Sequence, residues 1–344
     1  MALTRIGLDL AKNVFEVHGV DERDKTVLRK TLRRDQVGIF FANIPPCLVA
    51  MEACSGAHYW AREIADLGHA TRLISPQFVK PYVKTNKSDP NDAGAICEAA
   101  SRPSMRFVTI KTGEQLSIQA THRVRTRLVE NRTALVNQIH GILAEFGIVV
   151  ARNLASLRRR LPEILASEKF DLDPLLRSLM HDLHKELLVS DDRVRVYDRQ
   201  VRQLCRNSEV CQRLLRIEGI GPVTATALVA AAGNASSFRN GRQFAAWLGL
   251  VPRHHSSGGK TRLLGISKRG DRYLRTLLIH GARSALGRIR HKKDPRSRLL
   301  QKLCERRPYN VAAVALANKN ARIVWALLRH GEDYDQSRTV SAVA

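Results

Sequence analysis

The sequence predicts a mixed α/β domain at the N-terminal end, followed by a longer, mainly helical region. Three observations lead there. Residues 3–75 hold short apolar or alternating runs separated by turn residues, in the order strand, strand, strand, helix, strand, helix, strand. From Thr112 onward the apolar residues change to helical spacing. The 344 residues leave room for two or three domains at roughly 150 residues each.

Leu3 to Leu10 is a strand-like run with one carboxylate, Asp9, inside it. An ionised carboxylate in a sheet centre is costly unless it is paired, protonated or holding a cation. Asn13 to Val20 alternates as a second strand, and Lys25 to Lys30 reads as a third, which together make an antiparallel meander. An amphipathic segment at Val37 to Ala42 and the Pro45-Pro46 break precede Cys47 to Met51, a short buried strand. That strand ends in Glu52, at the carboxyl end where sites form in open α/β sheets. His58 to Leu67 is helical, and Ala70 to Ser75 is a fifth strand that stops before Pro76.

In Lys87-Ser88-Asp89-Pro90-Asn91-Asp92-Ala93 a helix begins at Asp89 or Pro90 and continues through the periodic Ala93, Ile96, Cys97 and Ala100. Asp89 and Asp92 share one face of that helix, a turn apart. Taken alone they are an N-cap and a partner for the positive helix end. Connections of this order imply a mixed sheet with helices packed on it, and Asp9, Glu52, Asp89 and Asp92 can then meet at one end of the sheet. Four such carboxylates need cations to remain ionised, and an all-oxygen ligand set favours Mg²⁺ or Mn²⁺. Two ions of this kind on a scissile phosphate activate the attacking oxygen and stabilise the leaving one.

Charge points to the partner. Lys and Arg number 57 against 32 Asp and Glu, a net charge of +25, which draws polyanions such as DNA or RNA and makes their binding salt-dependent. The six cysteines are scattered without a C-x-x-C pair, so neither a zinc site nor a disulfide framework is expected. No apolar run is expected to span a bilayer, and the first residues lack a signal peptide's order, so the expected location is the cytoplasm.

A helical stripe runs from Thr112 to Phe146, with Arg123, Arg125, Arg127 and Arg132 on its other face, either solvated or facing phosphate. Gly147 and Pro162 read as interruptions. Leu187, Val194 and Val201 recur every seven residues, which suggests a long helical hairpin or coiled-coil arm, a pattern that Ser190, Asp191 and Asp192 interrupt. Ile217-Glu218-Gly219-Ile220-Gly221-Pro222 is a helix-hairpin-helix-like turn, where Gly219 and Gly221 allow a tight bend whose amides can receive a phosphate. It is no Walker loop, and no nucleotide cofactor is expected. From Arg253 to Arg307 there are 17 Lys or Arg against three acids, the densest basic stretch in the chain. Within it a polar loop, Arg253 to Lys260, precedes Ile266-Ser267-Lys268-Arg269-Gly270 and a helix starting near Asp271, whose Arg272, Arg275 and Arg283 are available for phosphates. A last helix runs from Tyr309 to His330, followed by a tail expected to be disordered.

These strings resemble a known family. Gly7-Leu8-Asp9-Leu10-Ala11-Lys12-Asn13, Val49 to Gly56 and Lys87 to Ala93 are similar to the RuvC-like (RNase H-like) DEDD domain of the Piv-type, IS one-ten family insertion-sequence transposases, nearest the IS eleven-eleven branch. Pro252-Arg253, Ser257-Gly258-Gly259-Lys260 and Ile266 to Gly270 resemble the family's C-terminal transposase domain. The resemblance implies Asp9, Glu52, Asp89 and Asp92 as catalytic metal ligands and Ser257 as the nucleophile, with Ser256 beside it as a possible confusion. It also implies a phosphoserine intermediate on double-stranded DNA, a noncoding bridge RNA as guide, and a tetramer whose active sites combine different subunits. Residues 1–110 are then the metal-binding domain, 111–212 the arm, 213–331 the transposase domain and 332–344 the tail. Arg253, Lys260, Lys268, Arg269 and Arg272, with Gly219 and Gly221, are the expected nucleic-acid contacts. The rival readings are a hydrolytic RuvC-like junction nuclease with a structural Ser257, and a nucleic-acid-binding protein with an inert acid site.

Overall fold

Period-2 patterning in the first hundred residues builds one six-stranded mixed sheet. The chain is described here by a computed structural model covering residues 3–83, 89–170, 172–258, 260–289, 292 and 294–335. It falls into two compact units, Met1–Gly113 and Glu114–Ala344.

In the first unit β1 (Arg5–Leu10), β2 (Val14–Val20) and β3 (Thr26–Arg33) form the expected antiparallel meander. After α1 (Val37–Ala42), β4 (Leu48–Glu52) lies parallel to β1, and after α2 (Ala57–Asp66), β5 (Ala70–Ile74) lies parallel to β4. Then come α3 (Pro76–Val79), α4 (Asp89–Ala100) and the two-residue β6 (Phe107–Val108), antiparallel to β5, giving the order β3-β2-β1-β4-β5-β6. Alternation sends Ile6, Leu8, Val49 and Met51 to one face, where they pack under α1 and α2 with Phe41, Trp60 and Ile64. The other face takes Ala50 and Ile74 against Ile96 and Ala99 of α4. Gly7 and Asp9, offset by one residue from Ile6 and Leu8, therefore look toward α4.

The second unit begins with an arm of α5 (Gly113–Glu145), α6 (Leu154–Ala166) and α7 (Pro174–Arg206). Its own apolar core joins Leu135, Ile139 and Leu143 to Leu157, Leu161, Ile164, Met180 and Leu187. Pro162, expected to interrupt, lies inside α6; the apolar face of that helix, from Leu157 to Leu165, is buried and offsets the hydrogen bond that proline cannot donate. Asp191 does not weaken the arm as its sequence context suggested. It is 2% exposed and accepts hydrogen bonds from Arg158 Nε at 2.6 Å and Arg132 Nη1 at 3.0 Å. Burial raises its pKa, but the two guanidinium partners outweigh burial and hold it below the ordinary value. Arg125 is engaged as well, with Asp198 at 2.6 Å, so two of the four arginines assigned to an outward basic face bind α7 instead.

The remaining elements are α8 (Glu209–Leu215), α9 (Pro222–Ala232), α10 (Gly241–Trp247), a hairpin of β7 (Pro252–Ser257) and β8 (Lys260–Ile266), α11 (Arg272–Leu286), α12 (Pro295–Arg306) and α13 (Tyr309–His330). A second core gathers Leu228, Phe244, Leu248, Leu278, Leu316 and Val324. Buried His122 of α5 ties the arm to this core, hydrogen bonding with Tyr273 Oη at 2.9 Å and Thr226 Oγ1 at 3.0 Å; burial lowers its pKa to about 4. One helix among the described residues, α13, is long and apolar enough to cross a membrane, contrary to expectation, and half of its apolar stretch is buried. Its Ala312, Leu316, Ala321 and Val324 are core residues, which accounts for its composition. Residues 332–335, expected to belong to a disordered tail, bring Tyr334 back onto the same core, and 336–344 lie outside the described residues.

Candidate active site

Strand register sets the first two acids side by side. Leu8 pairs with Met51 across the parallel β1 and β4, so the next residues, Asp9 and Glu52, stand level at the carboxyl ends of adjacent strands. The third and fourth come from the first turn of α4, which starts at Asp89. Lys87 and Ser88 of the same motif lie outside the described residues.

What holds that turn over Asp9 is the absence of a side chain at Gly7. A Cβ there would meet the Ala93 carbonyl oxygen at 2.1 Å and the Cys97 amide nitrogen at 2.5 Å, so α4 rides directly on the backbone of β1. Arg5 fastens the far end of the contact, its Nε donating to the Cys97 carbonyl at 3.0 Å. Asp92, next to Ala93, and Asp89, about one turn before it, are thereby delivered beside Asp9. A glycine inside a strand is a signal of close backbone approach, and this is the functional residue that the motif-based reading left without a role.

Carboxylate oxygens of Asp9, Asp89 and Asp92 lie within 4.8 Å of one another. Asp9 and Asp92 are half-buried and Asp89 is exposed. The pKa of Asp9 is pushed up to about 6, first by burial and then by the charges of Asp92, Asp89 and Glu52, against a stabilising hydrogen bond from the Leu10 amide. Glu52 therefore belongs to the same electrostatic cluster, although its oxygens are not among the three that converge.

These residues fit a hard divalent cation. The donor set is all carboxylate oxygen, one member is held in a state that positive charge would relieve, and three oxygens within 4.8 Å of one another are close enough to be drawn onto one ion of this class. Cys54, on the loop after Glu52, feels the same field: burial and then the Glu52 and Asp9 charges raise its pKa, which leaves a thiol where a cation of this class prefers oxygen.

The second predicted centre is built differently. Ser257 was expected in an open polar loop, but the structure puts it at the last position of β7, paired with Lys260 across a tight turn at Gly258. The reason the hairpin escaped notice is that all six residues of β7 are exposed, so neither face carries an apolar alternation. Gly258 has φ +55°, the left-handed value that glycine accepts without strain, and Gly259 lies outside the described residues. Ser256, paired with Thr261, points to the opposite face of the strand from Ser257.

The expected nucleic-acid contacts divide into two groups. Arg253, Lys260, Lys268, Arg269 and Arg272 are all exposed on or beside the hairpin and the start of α11. Gly219 is committed to packing: its φ is +90° and its backbone interlocks with Gly281 of α11, where a Cβ would meet the Gly219 carbonyl oxygen at 1.8 Å. Gly221 is the N-cap residue of α9, with open space where a Cβ would be. Two further arginines taken as available for phosphate are engaged within the protein. Arg275 donates to the Leu248 carbonyl at 3.2 Å, and Arg283 to Asn310 Oδ1 at 2.6 Å.

The chain is similar to known proteins along nearly its whole length. Residues 6–148 match a family model for a DEDD transposase of IS110, described as a transposase, and residues 211–298 match one described as the transposase IS116/IS110/IS902 family. A Pseudomonas aeruginosa protein named "Probable family 20 transposase" is 58% identical over 95% of this chain and 97% of its own length. The transposase for insertion sequence element IS1111A of Coxiella burnetii is 48% identical over 96% of this chain and 90% of its own. That for IS1328 of Yersinia enterocolitica is 44% identical over 96% and 98%. With an acid cluster at one end of a mixed sheet and relatives of this identity over nine-tenths of its length, the chain belongs to the IS116/IS110/IS902 family of insertion-sequence transposases.

Proposed function

We propose that the protein recombines double-stranded DNA by transesterification, with Ser257 as nucleophile and Asp9, Glu52, Asp89 and Asp92 as the seat of Mg²⁺ or Mn²⁺. The observation that carries this reading is the convergence of three carboxylates within 4.8 Å in a chain of net charge +25. A bound cation would neutralise charge on the scissile phosphate and ease ionisation of the attacking hydroxyl. The rest belongs to the chain itself.

The Ser257 hydroxyl loses its proton to solvent as Oγ attacks phosphorus; the Oγ–P bond forms, one P–O bond of the strand breaks, and the departing deoxyribose oxygen takes up a proton from solvent. The phosphoserine conserves the energy of the diester, so attack by the hydroxyl of a new strand rejoins DNA without a nucleotide cofactor. Arg253, Lys260, Lys268, Arg269 and Arg272 hold backbone phosphates on either side, supported by their exposure around the hairpin. Gly221, the N-cap of α9 with open space beside it, offers a further phosphate seat, whereas Gly219 is taken up by its contact with Gly281. The sheet order and the helices on both faces support a RuvC-like first unit. Family resemblance supports a bridge RNA that selects donor and target, and a tetramer in which acids and serine from different subunits act on one phosphate.

The test is incubation with the element's end DNA, Mg²⁺ and its flanking transcript, followed by denaturing separation of protein-linked DNA. A covalent adduct is expected with the wild type and with Ser256→Ala, and none with Ser257→Ala. Undiminished cleavage by Ser257→Ala would put water in place of the serine and make the protein a hydrolytic nuclease. Unchanged DNA products from Asp9→Ala would leave only a binding protein.

A further inference from the structure

The end of the described chain carries a feature that DNA cleavage does not use. Gly331 ends α13 in the left-handed conformation, φ +69°, and turns the chain back along the helix it has just left. The next four residues, Glu332-Asp333-Tyr334-Asp335, hold three acids in a chain whose bases outnumber its acids 57 to 32. This segment is tied down: Arg213 donates to the Gly331 carbonyl, Arg216 pairs with Asp333 at 3.1 Å, and Tyr334 is partly buried against the core. Beyond those ties it borders a groove of about 720 Å³ whose other wall is basic, with Arg242 from α10 and Lys319 and Arg322 from α13.

The basic wall is rigid. A Cβ on Gly241 would meet the Arg322 backbone at 3.0 Å, so the start of α10 is seated on α13 and fixes Arg242 beside Arg322. Lys319 and Arg322 stand three residues apart on one helix face. Trp325 lines the same groove and is oriented by its Nε1, which donates to the Phe238 carbonyl at 3.2 Å. A row of cations with an aromatic ring beside it matches a sugar-phosphate backbone, and the acids Glu332, Asp333 and Asp335, which line the same groove, have the charge of that backbone.

We propose that the groove between α10 and α13 binds the phosphodiester backbone of nucleic acid, and that Glu332, Asp333 and Asp335 form an internal polyanion strap that nucleic acid must displace. The strap sets a threshold. Loose, non-specific association with any polyanion is suppressed, whereas a substrate held elsewhere on the protein gains the extra contacts once the strap lifts. This inference does not depend on the chemistry assigned to Ser257.

The test uses the full chain with Glu332→Gln, Asp333→Asn and Asp335→Asn together, leaving Tyr334 in place. The Arg216–Asp333 ion pair lost in this variant is solvent-exposed and worth little to folding. Binding of a short mixed-sequence duplex DNA, and in a separate arm of a single-stranded RNA of equal length, is measured by fluorescence anisotropy over a range of salt. The neutralised variant is expected to bind about tenfold more tightly, with a steeper salt dependence, because more phosphates are neutralised. The arm with the larger gain identifies which nucleic acid the groove takes. Adding Arg242→Ala and Arg322→Ala to that variant should cancel the gain, and the charge-keeping set Glu332→Asp, Asp333→Glu and Asp335→Glu should bind like the wild type. Unchanged affinity in both arms, or a gain that survives loss of the two arginines, would overturn the proposal.

Discussion

The acid cluster and the serine hairpin are held in place by opposite means. Asp9, Asp89 and Asp92 sit on elements that share a core, and the contact that aligns them, Gly7 under Ala93 and Cys97, has no room for a methyl group. Ser257 ends a strand exposed along its whole length, at a turn with open space around Gly258. A cation site needs several oxygens placed to within a fraction of an ångström before the ion arrives, and only packed backbone does that. A hairpin whose first strand is exposed along its length is free to take its final geometry from whatever binds it.

The largest expected effect tests the first half of that contrast. Asp9→Asn should reduce DNA cleavage by about a thousandfold or more, as expected when a charged metal ligand is lost. At neutral pH it should also raise the melting temperature of the metal-free protein, because it removes a charge that burial and three neighbouring acids oppose. A fall in both, read by a cleavage assay and a thermal melt, would mean that Asp9 is structural.

Gly7→Ala comes next. Displacing α4 should cost about 1–3 kcal/mol in urea unfolding and lower cleavage, while binding of DNA, which rests on the basic surface, stays near that of the wild type. A Gly7→Ala protein with normal stability and activity would break the argument that backbone contact sets the site.

Acid titration sharpens the same point. Asp9 has a folded pKa of about 6 against 3.8 for the free side chain. Its protonated form favours the fold fully below pH ~3.8, and that contribution is lost as pH rises through about 6. Metal-free protein should therefore show a component of its melting temperature that falls across this window, absent in Asp9→Asn, and Mg²⁺ should restore it above pH 6. A melt that responds to Mg²⁺ equally at pH 5 and pH 7.5 would contradict this.

The smallest effects belong to the hairpin. Gly258→Ala should cost about 1 kcal/mol, the penalty for a side chain at positive φ. Gly265→Ala, at a β8 position with open space, should change stability by less than about 0.5 kcal/mol. A large loss at Gly265, measured by urea unfolding, would show the hairpin to be packed after all.

How far the sequence could be read follows from the same physics. The five longer strands, the positions of Asp9 and Glu52 at the ends of two of them and that of Asp89 at the start of α4 were legible, since a sheet with one buried face and one helix-covered face leaves alternation in the chain. α6 was hidden by Pro162, whose cost is offset by burial that no local pattern displays. The β7–β8 hairpin was hidden because β7 is exposed along its whole length and carries no apolar alternation. Least legible were the partners of the arginines. Arg125, Arg132, Arg275 and Arg283 look like surface cations in the chain, and their engagement with Asp198, Asp191, a carbonyl and Asn310 is decided by tertiary packing alone. The meaning of Gly7 was present as a glycine within a strand but needed the helix above it to be understood.

Electron paramagnetic resonance of Mn²⁺ added to the full chain tests the central claim most directly. The free-ion signal should be titrated away by the wild-type protein and much less by Asp9→Asn or by Asp89→Asn with Asp92→Asn. Equal loss of signal in the wild type and these variants would mean that the converging carboxylates hold no cation.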